Sequence, residues 1–266
     1  MIKKVFVNTF LAAEEELQQH PPAKTFDWKV FTILAWTCLG LSIIRYYGDP
    51  VFTADVLKNL GGTELSQSLR TWAGSGENAE LHRLTWWVCT MIVCYLVVPV
   101  AIVKLLFREN LSAYGFKVQG AFNQWWLYVV MLLVMVPLVW YFSTTASFQA
   151  RYPFYKPLKT EPLWPNFWQW EMLYFVQFIG LEFFFRGFMV LGLRRRFGYY
   201  SIFIMTVPYC MIHFGKPMPE TIGAILAGFV LGTLSMKSRS VWLGVLIHYS
   251  VAITMDMCAL YQKGYF

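Results

Sequence analysis

Charge is scarce in this chain. Asp, Glu, Lys and Arg make up 14% of the 266 residues, while 57% are apolar and 19% aromatic. That balance lies far from a soluble domain of this size, so the apolar surface has lipid as its destination. The strict apolar–polar alternation of barrel strands is missing, which argues against a membrane β-barrel. Cys-x-x-Cys is missing too. The five cysteines, Cys38, Cys89, Cys94, Cys210 and Cys258, lie in or beside apolar runs and read as small hydrophobes, not as a zinc knuckle or a disulfide framework. No cleavable signal peptide is expected, because the first strongly apolar run begins only near Trp28. Histidine occurs four times, and no His-Glu-x-x-His pair is among them.

What is present is a series of apolar windows of about 20 residues, each long enough to cross a hydrocarbon layer of about 30 Å as a helix. The expected fold is an all-α, polytopic integral membrane helical bundle of about seven transmembrane helices. They are placed at residues 28–46, 84–107, 122–142, 167–193, 200–213, 220–236 and 241–261. Residues 1–27 form an N-terminal interfacial segment, with an amphipathic helix over 4–19 or a disordered tail as the two readings. Residues 28–144 hold helices one to three and residues 167–262 hold helices four to seven. The polar stretch 47–83 is expected to be the longest soluble piece. Gly228 and Gly232 in span six allow a neighbouring helix backbone to approach closely, which makes that span a candidate central helix. The tryptophans at 86, 87, 125, 126, 164, 168 and 170 fit interfacial belts.

Formal charge is +7, from 22 Lys and Arg against 15 Asp and Glu. The basic residues fall in short connections between apolar runs, where membrane topology places them, so no nucleic-acid partner is expected. The cluster Arg194-Arg195-Arg196 between spans four and five puts that end, and with it the N-terminus, on the cytoplasmic side. The expected location is the cytoplasmic membrane of a prokaryote.

Ionisable side chains inside a span cost several kcal/mol and call for a partner or a function. Four stand out: Glu182, Arg186, His213 and His248. Glu182 and Arg186 are four apart on one helix, so their side chains emerge on the same face and can form an ion pair. Counted at about 1.5 Å per residue, Glu182 lies about 18 Å in from Arg194, His248 about 14 Å in from Arg239 and His213 about 20 Å in from Tyr200. Three helices thus bring a carboxylate and two imidazoles to a similar depth. Such a group suits peptide-bond hydrolysis, with Glu182 taking a proton from water and the histidines binding the water or the oxyanion. The same side chains, Glu182, His213 and His248, can instead hold a zinc ion in an open three-ligand site. No cofactor is required on the first reading. Pro208 kinks span five, and Pro219 with Glu220 is ordinary helix-start chemistry, with a substrate gate at Lys216 or Glu220 as the sharper alternative.

The order Glu182-x-x-x-Arg186-Gly187, then Tyr209-Cys210-Met211-Ile212-His213, then His248 in the last span, resembles the three-motif core of the CAAX protease and bacteriocin-processing family. That family comprises glutamate-dependent intramembrane proteases and includes the type II CAAX endopeptidases. The resemblance covers residues 167–260. It implies an endopeptidase acting on a membrane-embedded or lipidated peptide or protein, a prenylated one included, with Glu182, Arg186, His213 and His248 as site residues and the lipid bilayer as a partner. Two positions depart from the family pattern. Leu181 stands where a first glutamate, taken as the water-activating one, usually precedes Glu182. Ala252 stands where the third motif has Asn, with Asp256 as a potential substitute. The alternative to a protease is a catalytically degenerate membrane scaffold or a bacteriocin-immunity-type binding protein on the same fold.

Overall fold

A computed structural model describes residues 2–22, 24–157 and 161–265, and among these every regular element is helical. In chain order they are α1 (Ile2–Gln19), α2 (Trp28–Tyr47), α3 (Pro50–Asn59), α4 (Thr63–Gly74), α5 (Ala79–Leu106), α6 (Trp125–Ser143), α7 (Ala146–Arg151), α8 (Asn166–Phe197), α9 (Tyr200–Met211), α10 (Met218–Ser238) and α11 (Trp242–Gln262). Six of these helices, α2, α5, α6, α8, α10 and α11, are long and apolar enough to cross a membrane. The shorter apolar α9 completes the seven apolar segments expected from sequence.

The stretch 47–83 is helical rather than a plain loop, because it carries start signals: Asp49 accepts a hydrogen bond from the Val51 amide (2.9 Å) and Pro50 opens α3. Enclosure differs among the spans. In α8, 89% of the apolar window is buried within the protein, against 44% in α10 and 17% in α2 and in α6.

The chain clusters into two compact units. The first holds Met1–Thr37, Pro99–Leu133 and Leu181–His248. Here α1 turns one stripe, Val5, Thr9 and Ala13, inward and leaves Ile2, Val7, Phe10 and Leu11 exposed, the pattern of a helix at an interface. Phe6 stacks on Phe229 at 5.6 Å, and Phe10 meets Tyr199 edge-on at 5.4 Å. Against α9, α10 packs through Gly228 and Gly232: a Cβ on Gly228 would lie 3.0 Å from Thr206, and one on Gly232 2.8 Å from Ile202. The small residues thus serve close helix contact.

In the same unit the segment after α5 is sewn into the protein. A single turn, Leu111–Tyr114, ends at Gly115 with φ +80°, a conformation that favours glycine. The Gly115 carbonyl accepts from the Val241 amide (3.1 Å), and the Ser240 hydroxyl donates to the Lys117 carbonyl (2.8 Å). Lys29 and the Tyr114 hydroxyl both donate to Glu109, each at 2.6 Å. Burial tends to raise the Glu109 pKa, but these two hydrogen bonds and the charges of Lys29 and Arg195 outweigh it and leave it lowered.

The second unit holds Cys38–Val98, Val134–Gly180 and Tyr249–Phe266. Phe154 stacks between Trp170 (5.2 Å) and Trp87 (5.5 Å). Trp170 is fully buried and so departs from the interfacial belt expected of it, whereas Trp125, Trp164 and Trp168 are exposed. Its indole donates to Asp256 (3.2 Å), which also accepts from the Phe154 amide (2.8 Å). Asp256 is thus engaged in holding α8, α11 and the 154 turn together.

Candidate active site

The four ionisable residues singled out from the sequence fall within the first unit. Glu182 closes the α-helical part of α8, and the next nine residues, Phe183–Leu191, are π-helical and all buried. Such widened turns recur at functional sites, and sequence periodicity did not signal this one. Gly187 follows Arg186 because the Tyr114 carbonyl lies where a Cβ would stand. Glycine is what lets the 114 turn lie against the π-helical stretch.

Glu182 and Arg186 are both 0% exposed, with Nη1 of Arg186 3.1 Å from Oε1 of Glu182. The pair is held by charge; the N–H vectors are not aligned for a hydrogen bond. The guanidinium also lies over the Tyr209 ring, 4.1 Å from its centroid, which supplies a second favourable contact for a cation taken from water. On the other side of the carboxylate, Nδ1 of His248 lies 2.5 Å from the same Oε1. Oε2 meets no donor among the described residues. It faces Gly244, where a Cβ would collide with the carboxylate. Gly244 is therefore the seat of the Glu182 head group.

His248 makes a second contact, between Nε2 and the Tyr209 hydroxyl, at 2.7 Å. His213 lies two residues beyond the end of α9, not within it. There Pro208 is followed within four residues by a tightened turn, with the His213 amide donating to the Cys210 carbonyl (3.0 Å). Nδ1 of His213 is 2.8 Å from the Tyr209 carbonyl, and its ring stands edge-on to the Tyr209 ring at 4.9 Å. Because a carbonyl only accepts, Nδ1 of His213 carries the proton. In the neutral ring Nε2 is then the basic atom. By the same logic the Glu182 carboxylate places a proton on Nδ1 of His248.

Tyr209 thus meets three of the four: its hydroxyl His248, its ring face Arg186, its ring and carbonyl His213. The sequence marked it only as an aromatic residue four before His213. Its separation of four, the helical repeat, was the signal that both side chains share a face. Leu181 and Ala252 are each 6% exposed, so neither departure from the family pattern leaves a polar group in its place. Lys216 and Glu220 form an ion pair at 2.6 Å across the start of α10.

The donor set does not suit zinc. Both nitrogens of His248 are already engaged, one nitrogen of His213 is bound to a carbonyl, and the Glu182 carboxylate is paired with a guanidinium. Among the described residues no three His, Cys, Asp or Glu side chains gather as a metal-binding group.

Residues 162–254 match the family model described as type II CAAX prenyl endopeptidase, Rce1-like. The match spans α8 to α11, the helices that carry the site, and agrees with the resemblance read from the three motifs. The match is thus to a family of protease-type enzymes, and together with the six apolar helices it supports an integral membrane protein. No curated protein and no solved structure matches the chain.

Proposed function

We propose that this protein is an intramembrane endopeptidase that cleaves a peptide bond in a membrane-bound, prenylated peptide or protein. The reading rests on one observation: the unbroken chain of contacts Arg186–Glu182–His248–Tyr209–His213. Glu182 is sealed from water, so it acts through His248 rather than on water directly. His213, its tautomer fixed by the Tyr209 carbonyl, takes a proton from water at Nε2 as the water oxygen attacks the carbonyl carbon. His248, with protons on both nitrogens and Nδ1–H held by Glu182, turns Nε2–H from the Tyr209 hydroxyl oxygen to the oxyanion that forms. As the C–N bond breaks, His213 returns its proton to the leaving amine. Glu182 stays ionised throughout, with Arg186 balancing its charge. The N-terminus and the Arg194–Arg196 cluster lie on the cytoplasmic side in this reading.

The test is cleavage of fluorogenic prenylated peptides by the purified protein in detergent. His213→Ala is expected to lower kcat by about 10²–10⁴, the usual worth of a positioned base, with His248→Ala and Glu182→Gln also impaired. Unchanged cleavage by all three variants would remove this site from consideration. A second reading has its own support: Glu182 is completely buried beside Leu181, and Ala252 offers no oxyanion donor. On that reading the site is a structural remnant in a binding scaffold. The intact protein then cleaves nothing, while Glu182→Gln still lowers its stability.

A further inference from the structure

Away from the site, a cavity of about 230 Å³ opens between α1 and the ends of α8 and α10. Asn8 and Glu16 of α1, Arg194 near the end of α8, and Lys237 and Arg239 at the end of α10 line it. Glu16 bridges two cations, with both its oxygens 2.6 Å from Nη1 of Arg194 and Oε2 2.9 Å from Nη2 of Arg239. These bonds use one nitrogen of each guanidinium. Among the described residues the remaining donors of both forks and the Lys237 ammonium are left over, so three cations surround the cavity against one carboxylate. Both helix ends are places where a span leaves the hydrocarbon layer, which is the depth of lipid phosphates. A fastener for α1 would need only the Glu16 bridge. It needs neither the extra charge nor a space equal to several water molecules.

We infer that this pocket is a binding site for a phosphate anion, supplied by an anionic lipid headgroup or as free phosphate, with Glu16 occupying part of the site when it is empty. Arg forks and a lysine are the usual recognition chemistry for such a group. Binding of phosphate would compete with Glu16 for the two guanidinia and so adjust how firmly α1 is held on α8 and α10.

The experiment uses the full chain in nanodiscs and detergent. Affinity for phosphatidylglycerol is measured in a phosphatidylcholine background, and inorganic phosphate is titrated separately. Lys237→Ala is expected to weaken binding about fivefold, the worth of one basic residue near a membrane surface, and Glu16→Gln to tighten it several-fold. Lys58→Ala, an exposed lysine in the other unit, should leave it unchanged. Phosphatidylglycerol bound without competition from millimolar phosphate identifies the lipid as the source, and equal competition identifies free phosphate. The inference fails if Lys237→Ala and Glu16→Gln both stay within twofold of the native protein. It also fails if Lys58→Ala weakens binding as much as Lys237→Ala, since attraction is then diffuse.

Discussion

Gly244→Ala isolates the packing of the site from its chemistry. Helix propensity by itself favours Ala over Gly by about 0.8–1 kcal/mol, so on local grounds the substitution in α11 should stabilise. The added methyl, however, would stand on the Glu182 carboxylate. That group cannot step aside, because Oε1 is held by Arg186 on one side and His248 on the other. Overpacking costs about 1–3 kcal/mol, and loosening a charged hydrogen bond about 1.5–3 kcal/mol. Against the propensity gain, a net loss of about 1.5–5 kcal/mol is expected. Unfolding by SDS titration in mixed micelles reads this value. The decisive comparison is the same substitution in a Glu182→Ala, Arg186→Met background, where the obstacle and its buried counter-charge are both gone. There Gly244→Ala should be neutral or stabilising. An equal cost in both backgrounds, or a stabilised single variant, would refute the placement of Glu182 against Gly244.

Further predictions follow from the same contacts. Glu182→Gln leaves a buried guanidinium without its counter-charge and should lower stability by about 3–5 kcal/mol; adding Arg186→Met should recover most of the loss, measured in the same micelle titration. Tyr209→Phe removes only the hydroxyl, keeping the ring under Arg186, so its cost should be about 0.5–1.5 kcal/mol; a loss above about 3 kcal/mol would show that the hydroxyl does more than meet His248. For Glu109, whose pKa is lowered in the folded protein from an ordinary 4.5, the added stability is fully present above pH 4.5. It disappears as pH falls through the lower folded value. The stability difference between native and Glu109→Gln protein should accordingly be constant from pH 5.5 to about 8 and shrink below 4.5; a difference that grows toward acid pH contradicts this.

The apolar segments were legible in the sequence because lipid imposes one rule along the whole chain: about 20 apolar residues per crossing, with charge between crossings; six of the seven expected segments are long enough to cross, and α9 is shorter. The acid, the arginine and the two histidines were legible for the related reason that such groups are too costly in a span to be there without partners. Their arrangement was not. That Oε1 of Glu182 serves Arg186 and His248 together, that Tyr209 carries the contacts onward, and that Gly244 makes room for the carboxylate all depend on rotamers and on how α8, α9 and α11 meet. So does the π-helical stretch after Glu182, since it shifts side chains away from the regular helical repeat on which depth counting relies. Hydropathy and spacing along one strand of sequence determine which residues must find company within the membrane. Which atoms they find is decided by contacts between distant segments, where differences of an ångström separate a water-activating carboxylate from a buried one.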